Sequence, residues 1–388
     1  MTRSVRVWTA VITTGPLGAN DWPVTDDWTW ATAMSKSVVV KLGTSSVTDA
    51  TGGVDYDVLV NIAADVVQLR QQGWRVVVVT SGAITAGWAE VGGGKQRPSD
   101  AATLQAVSAV GQPLLMHAWR NAFGEVSTAV GQVLLAPLDF SHRGQYLHAR
   151  GTLESLQSLG VVPIVNENDA VADEEIRFGD NDRLAALVAN LVGATHLVLL
   201  TDTDGLLTAD PRLDPSATLI EEVNAIDADL VGVAGSSGTD VGSGGMASKL
   251  AAARMATWSG ITTVIASARS RTALQKALSP KTGFGTTFHP RAERLSARKS
   301  WIAFAVASRG TLRINQGALE ALENDGRSLL RVGVESFEGD FAEGDAVDVR
   351  GPEDQIIAKG LVRTSAEGFG EGEDVVVHRD DLVLLRRA

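Results

Sequence analysis

The sequence has no cysteine, only two tyrosines and little positive charge. Without cysteine, the chain can form neither disulfide bonds nor cysteine-based zinc or iron–sulfur sites. No stretch of about 18 apolar residues occurs, so we expect no membrane-spanning helix. The six histidines do not cluster in sequence, and we predict no metal-ligating residues. With 34 lysines and arginines against 46 aspartates and glutamates, the net charge of −12 argues against generic binding to nucleic acid or to anionic membranes.

The length of 388 residues favours two domains rather than one. The first 33 residues differ from the rest: they hold Trp8, Trp22, Trp28 and Trp30 but show no helical or strand periodicity. Met34 stands directly before the first strand-like segment. We therefore expect Met34 to be the natural start, with residues 1–33 a non-native or disordered extension.

Strand-like and helix-like segments alternate from Ser37 onward, which predicts an α/β domain over residues 34–290. Such alternation is typical of a mostly parallel sheet sandwiched by helices, in which ligands bind at the carboxyl ends of the strands. The pattern then changes to a charged linker over residues 291–308. Short strands between glycine-rich turns follow, and they predict a small β-rich domain over residues 309–388.

Lys41 stands near the end of a valine-rich segment, SVVVKLGTSS. Lysine is rare in a buried strand because burying an unpaired ammonium is costly. One interpretation is a lysine that extends to the surface at the strand end. The other is a cation that, with the glycine and hydroxyl residues after it, holds an anion. This segment alone leaves both open.

Three further strands also end in small, polar or acidic residues. They end at Thr80-Ser81-Gly82, at Asn166-Glu167-Asn168-Asp169 and at Thr201-Asp202. Each group alone is better explained by turn chemistry, since strand ends usually carry such residues. Their joint occurrence at successive strand ends favours a binding site.

Two other segments carry charge at predicted helix starts. GSGGMASK, residues 242–249, is not a Walker A loop, but it places Lys249 in the first turn of a helix, where the dipole disfavours a cation unless an anion is near. A flexible loop with a solvated lysine is the alternative. GDND, residues 179–182, offers a helix cap, or a carboxylate between two lysines. Together these features indicate phosphoryl transfer by positioning and electrostatics, with Mg²⁺ and no covalent enzyme intermediate.

The motifs VVVKLGTSSV, VVVTSGAITAG, VVPIVNENDAV, FGDNDRLAALVA, LLTDTDGLLTADPR and GSGGMASKLAAA occur in this order. In order and spacing they resemble the glutamate 5-kinases of the amino-acid kinase family, and the β-rich tail resembles a PUA domain. The resemblance implies a cytoplasmic, homo-oligomeric enzyme of proline biosynthesis. It would use ATP and Mg²⁺ to phosphorylate the γ-carboxylate of L-glutamate, be feedback-inhibited by proline, and be able to hand its product to glutamyl-phosphate reductase.

The same resemblance implies roles for individual residues. Lys41 and Lys249 would flank the transferring phosphoryl group, and Asp182 would orient both lysines. The residues expected to bind glutamate are Ser81, Asp169 and Asn181, with Gly82 and Asn166 nearby. The residues expected to bind ATP are Lys41, Thr201, Asp202, Ser243, Gly244, Gly245, Met246, Ala247, Ser248 and Lys249.

Two alternatives remain open at this point. One is a kinase of the same fold that acts on acetylglutamate, aspartate, carbamate or a nucleotide. The other is an RNA-binding protein, because PUA domains often bind RNA. From Arg309 to the end, however, 10 lysines and arginines face 17 aspartates and glutamates, and a surface of that charge repels phosphate backbones.

Overall fold

The structure is a computed structural model that describes residues 36–49, 53–93, 98–171, 181–226, 230, 245–281, 283–369 and 374–385. The expectation about residues 1–33 lies outside the described residues. Within the described part of the chain, no helix combines the length and apolar character needed to cross a membrane.

The first sheet has eight strands among the described residues, in the order β3-β4-β2-β1-β5-β7-β8-β6. Neighbours run parallel except β7 and β8, which are antiparallel. The strands are β1 (Ser37–Leu42), β2 (Arg75–Val79), β3 (Val130–Leu135), β4 (Val162–Glu167), β5 (His196–Thr201), β6 (Glu222–Val223), β7 (Thr262–Ser267) and β8 (Thr286–Phe288). The predicted mostly parallel α/β sheet is confirmed.

Helices connect these strands in the order that the alternating pattern predicts. They are α1 (Thr44–Val47), α2 (Tyr56–Gln71), α3 (Ala83–Glu90), α4 (Ala101–Glu125), α5 (Pro137–Ser141), α6 (Arg143–Ser158), α7 (Asn181–Leu191), α8 (Met246–Trp258) and α9 (Ala273–Ala277). A three-residue 3₁₀ helix, Asp169–Val171, follows β4. The hydroxyl residues after Gly43, for which anion binding is one of the two interpretations, begin the short helix α1.

The central strands are buried on both faces, which explains their continuous apolar runs. In β1, Val39 belongs to one hydrophobic core, together with Leu184 and Val188 of α7. The adjacent Val38 and Val40 belong to a second core on the opposite face, built with α2 and α4. Alternation of side chains along a strand produces this division. Lys41, near the end of β1, is therefore carried into the interior by a strand whose other residues are fully packed.

A short connection leads to a second, six-stranded sheet. This connection consists of α10 (Ala297–Ser300) and a π-helical turn over Trp301–Ala305. The strands are β9 (Ser308–Ile314), β10 (Leu329–Leu330), β11 (Val334–Gly339), β12 (Ala346–Arg350), β13 (Ile356–Val362) and β14 (Val375–Leu384), in the order β10-β14-β13-β12-β9-β11, with helix α11 (Gln316–Asp325) packed beside them. The predicted β-rich tail is confirmed. The boundaries at residues 34–290, 291–308 and 309–388 stay a prediction.

Candidate active site

The polar strand ends meet at one edge of the first sheet. β4, β2, β1 and β5 are consecutive neighbours and run parallel, so their carboxyl ends share this edge. In this register Lys41 of β1 lies between Val79 of β2 and Leu199 of β5. The sequence prediction that ligands bind at the strand ends therefore points to one place in the structure.

Asp182 joins the two lysines that the sequence analysis selected. Its Oδ1 lies 2.5 Å from Lys41 Nζ, and its Oδ2 lies 3.1 Å from Lys249 Nζ. Asp182 stands in the first turn of α7, and Lys249 in the first turn of α8. The side chains of Lys41, Lys249 and Asp182 are 3%, 7% and 0% exposed, so the three charges meet in the interior. We refer to Lys41, Asp182 and Lys249 as the lysine–aspartate triad.

The charge of the triad indicates the kind of ligand that it suits. Two ammonium groups share one carboxylate, so the three groups together carry one positive charge. Buried charges are strongly destabilising unless opposite charges offset them. Lys249 is further disfavoured by its place at a helix N-terminus, where the helix dipole is positive. An anionic ligand such as a phosphoryl group would stabilise this arrangement.

A network of amides lies beside the triad. Asn181, next to Asp182, directs its Nδ2 at the Thr80 carbonyl (2.7 Å), at Ser81 Oγ (3.0 Å) and at Asn166 Oδ1 (2.8 Å). Asn166 in turn donates from Nδ2 to Gln112 Oε1 at 2.8 Å. The ends of β2 and β4 are thereby tied to the start of α7. Of the predicted glutamate-binding residues, this network unites Ser81, Asn166 and Asn181.

Helix α4 supplies partners that the sequence analysis missed. Ser108 Oγ donates to Asp169 Oδ2 at 2.8 Å, and Gln112 holds Asn166 as described. Ser108 and Gln112 are both buried, and they stand four residues apart, on one face of the helix. Two polar side chains at that spacing on a buried helical face were the available signal. Helix α4 therefore links Asp169 to the amide network, because its Ser108 binds Asp169 and its Gln112 binds Asn166.

Two glycines let α3 lie close to α4. A Cβ atom at Gly111 would lie 1.8 Å from the Ala83 carbonyl oxygen, and one at Gly87 would lie 2.0 Å from the Val107 carbonyl oxygen. Gly82, at the N-terminus of α3, has φ +108°, and its Cβ would lie 2.8 Å from a Val47 methyl carbon. Glycine is therefore needed at this turn. These contacts fix the turn that carries Ser81.

The predicted nucleotide-binding residues are only partly described. Ser248 Oγ lies 2.7 Å from the Gly245 carbonyl oxygen and 3.1 Å from Asp182 Oδ2, so the start of α8 adjoins the triad. Met246 and Ala247 occupy the same first turn. At the end of β5, Thr201 Oγ1 donates to Asp202 Oδ1 at 3.1 Å. Ser243 and Gly244 lie outside the described residues.

Comparison with known proteins assigns the part of the chain that holds this site to a family. Residues 36–267, which contain the whole triad, match the model of the amino acid kinase family. The chain belongs to this family. Residues 310–381 match the PUA domain, in agreement with the six-stranded sheet of the tail.

Curated relatives in the amino acid kinase family share both parts of the chain. A protein named glutamate 5-kinase from Citrifermentans bemidjiense is 43% identical over 367 residues, covering 90% of this chain and 98% of the relative. Another of that name from Nocardia farcinica is 46% identical over 366 residues, covering 91% and 98%. A third, from Vibrio vulnificus, is 42% identical over 373 residues, covering 92% and 98%. The predicted resemblance to glutamate 5-kinases is confirmed.

Proposed function

We propose that this enzyme transfers the γ-phosphoryl group of ATP to the γ-carboxylate of L-glutamate. The product is L-glutamyl 5-phosphate, and the reaction is the first step of proline biosynthesis. The observation that carries the proposal is the lysine–aspartate triad, in which one buried carboxylate holds two ammonium groups at the strand ends. The relatives named glutamate 5-kinase, matched over nearly their whole length, support the choice of substrate.

The triad suits an in-line transfer between two anions. In phosphoryl transfer the enzyme contributes mainly positioning and stabilisation of charge on the transferring group and its flanking oxygens. Lys41 and Lys249 would flank that group, each held in place by one oxygen of Asp182. Because the acceptor is already a carboxylate, no general base has to remove a proton from it. Preorganised cations in a dry site are the main requirement.

The amide network suits the amino-acid substrate. Asn181 and Ser81, with Asn166 and Gly82 nearby, would contact glutamate close to the reacting carboxylate. Asp169 adds a negative charge that would pair with the substrate α-ammonium group, and Ser108 holds one of its oxygens. A site with both amide donors and a carboxylate is complementary to a zwitterionic amino acid with an additional carboxylate.

The nucleotide would lie along the end of β5 and the start of α8. Thr201, Asp202 and residues 243–249 are the proposed contacts. Bound with the nucleotide, Mg²⁺ would offset phosphate charge. Across the described residues no three acidic or histidine side chains form a metal cluster, and both oxygens of Asp182 face lysines. Because the lysines occupy Asp182, a Mg²⁺ ion would take its ligands largely from phosphate oxygens and water.

Further parts of the proposal rest on the family relationship. We expect a cytoplasmic homo-oligomer that proline inhibits. Because acyl phosphates are labile, a reductase acting on glutamyl phosphate should consume the product, and direct hand-off to it would limit hydrolysis. Nucleic acid is not an expected partner, given the acidic tail.

The proposal is tested by measuring ADP release from Mg·ATP with L-glutamate, N-acetyl-L-glutamate and L-aspartate in parallel. Hydroxylamine is included to trap an acyl phosphate as the hydroxamate. We expect turnover and hydroxamate with L-glutamate alone, suppressed by proline. Turnover with one of the other acids would overturn the substrate assignment while leaving the triad mechanism in place.

A further inference from the structure

Arg183 connects the catalytic edge of the first sheet to the connection between the two sheets. It follows Asp182 directly in α7, and its Nη2 donates to the carbonyl oxygen of Phe304 at 3.1 Å. Phe304 belongs to the π-helical turn over Trp301–Ala305. The backbone of this turn is thus hydrogen-bonded to Arg183, which directly follows Asp182, the residue that holds both lysines.

The π-helical turn is held in place by contacts with helices that pack on the first sheet. Trp301 donates from Nε1 to the carbonyl oxygen of Phe140, in α5, at 2.7 Å. The ring of Phe304 packs edge-on against Trp258 of α8, with centroids 6.0 Å apart. The turn therefore contacts α5, α7 and α8, and α7 and α8 are the helices that supply Asp182 and Lys249.

The second sheet reaches the same turn through a buried cation. Lys359 of β13 donates from Nζ to the carbonyl oxygen of Val306, two residues after Phe304. Burial lowers the pKa of Lys359, the Asp348 carboxylate opposes this shift, and the charge of Arg183 adds to it. Lys359 and Arg183 thus lie close enough to act on each other across the connection, each bound to a carbonyl of the same short segment.

Arg183 is also coupled to the end of β4. Arg183 is exposed to solvent, yet partial desolvation lowers the pKa of its guanidinium, and the Glu167 carboxylate opposes that shift. The Glu167 backbone N–H donates to Asn166 Oδ1 at 2.9 Å, and Asn181 donates to the same oxygen. Arg183 is therefore placed between the amide network and the connection.

We infer that Arg183 is a positioning residue through which the C-terminal domain sets the orientation of Asp182 and Asn181. The first turn of a helix lacks the backbone hydrogen bonds that hold its middle, so side-chain anchors determine its position. The Arg183–Phe304 bond supplies such an anchor from outside the kinase sheet. Shifts of about 1 Å in catalytic groups lower the rate strongly, so a movement of the connection should lower kcat. The inference rests on the proposed function.

The test is a double-mutant cycle in the full-length chain. Arg183→Gln removes the anchor, and Lys359→Met removes the contact from the C-terminal domain without touching the kinase sheet. We expect each variant to lower kcat by about 2- to 30-fold, the range of couplings carried through packed networks. We expect kcat to fall by a larger factor than either KM rises, because every binding group is retained and only its placement changes. The double variant should be no slower than Arg183→Gln alone, and Arg183→Lys should recover part of the rate.

Arg298→Gln is the matched control. Arg298, in α10 of the connection, binds Asp381 of β14 through Nε at 2.9 Å and Nη2 at 2.6 Å. Like Lys359, it therefore joins the connection to the second sheet, but it does so away from Arg183. This variant should keep the wild-type kcat even if its melting temperature falls. An unchanged kcat in Lys359→Met, or an equal loss of kcat in Arg298→Gln, would overturn the inference. So would losses that multiply in the double variant.

If Lys359→Met does not fold, Trp301→Phe replaces it in the cycle, since it removes the N–H donor to Phe140 and keeps an aromatic ring. The same non-additivity with Arg183→Gln is expected, and multiplicative losses would overturn the inference. The wild-type protein separates this result from the proposed function. If the wild type turns over glutamate and the variants keep its kcat, the positioning role is contradicted but the proposed function is not. A wild type inactive on glutamate contradicts the proposed function, and the cycle is then run on the acid that supports turnover.

Discussion

Replacing Asp182 by asparagine should damage both folding stability and catalysis. Asp182 is fully buried, and its two oxygens lie 2.5 and 3.1 Å from the ammonium groups of Lys41 and Lys249. Asparagine keeps the size and one acceptor oxygen, but it removes the only negative charge of the triad. Two buried ammonium groups would then face each other across a neutral amide.

The size of the effect follows from this geometry. Removing one partner of a buried ion pair costs about 3–5 kcal/mol. Asparagine still accepts one hydrogen bond, so we expect the lower end, about 3 kcal/mol. For a domain of this size that corresponds to a fall in melting temperature of roughly 6–12 °C. Misplaced lysines should reduce kcat by about 100-fold or more. Mg·ATP should raise the melting temperature of the variant more than that of the wild type, because phosphate charge offsets the uncompensated ammonium charge.

Asp65→Asn is the control for removing a buried carboxylate. Asp65 is 4% exposed, but it accepts from neutral donors, the Leu274 backbone N–H at 3.0 Å and Gln275 Nε2 at 3.3 Å. We expect wild-type kcat and a much smaller change in melting temperature. Thermal melts with and without Mg·ATP, together with steady-state kinetics, measure both variants. An Asp182→Asn enzyme with kcat close to that of the wild type would refute the assignment of the triad.

Further variants test other parts of the account. Lys41→Ala should fold, as judged by circular dichroism, but lose most of its kcat; wild-type turnover would contradict its phosphate-binding role. Ser108→Ala should raise KM for glutamate by roughly 10- to 150-fold, since one hydrogen bond to the charged Asp169 contributes about 1.5–3 kcal/mol; an effect on KM for ATP alone would count against it. Gly111→Ala should destabilise the fold by about 1–3 kcal/mol or more in denaturant titrations, because α3 and α4 must separate. Burial raises the pKa of Asp65, so its contribution to stability is present at low pH and is lost as pH rises through the folded-state pKa. The melting temperature of Asp65→Asn relative to wild type should therefore increase as pH rises above the ordinary pKa of an aspartate, and a constant difference would contradict this.

The sheet was predictable because its strands are buried on both faces. Val38, Val39 and Val40 form a continuous apolar run that is typical of a central parallel strand, and Gly73 follows the helix after it. The exceptions are local. β8 runs antiparallel to β7, and the prediction of a mostly parallel sheet did not say which strand would do so; α11 interrupts the β-rich tail. The direction of the three-residue strand β8 depends on packing, whereas α11 had a signal in the sequence, an Asn315 cap at its start and Gly326 at its end.

The charged part of the site was also predictable, because a lysine in a buried strand and one at a helix start both require a counter-charge. Asp182 between them meets that requirement. Ser108, Gln112 and Arg183 were not found, since a polar residue in a predicted helix is ordinarily assigned to the face exposed to solvent. Their importance comes from partners 61, 54 and 121 residues away in sequence. Such long-range contacts become visible only when the fold is known.

The central claim is that the γ-carboxylate of glutamate receives the phosphoryl group. The most direct test uses L-glutamate labelled with ¹⁸O in that carboxylate, with Mg·ATP and hydroxylamine, and measures the label in the released phosphate by mass spectrometry. Hydroxylamine attacks the acyl carbon, so the bridging oxygen leaves with phosphorus. Our account predicts one ¹⁸O atom per phosphate, and phosphate without ¹⁸O would contradict it.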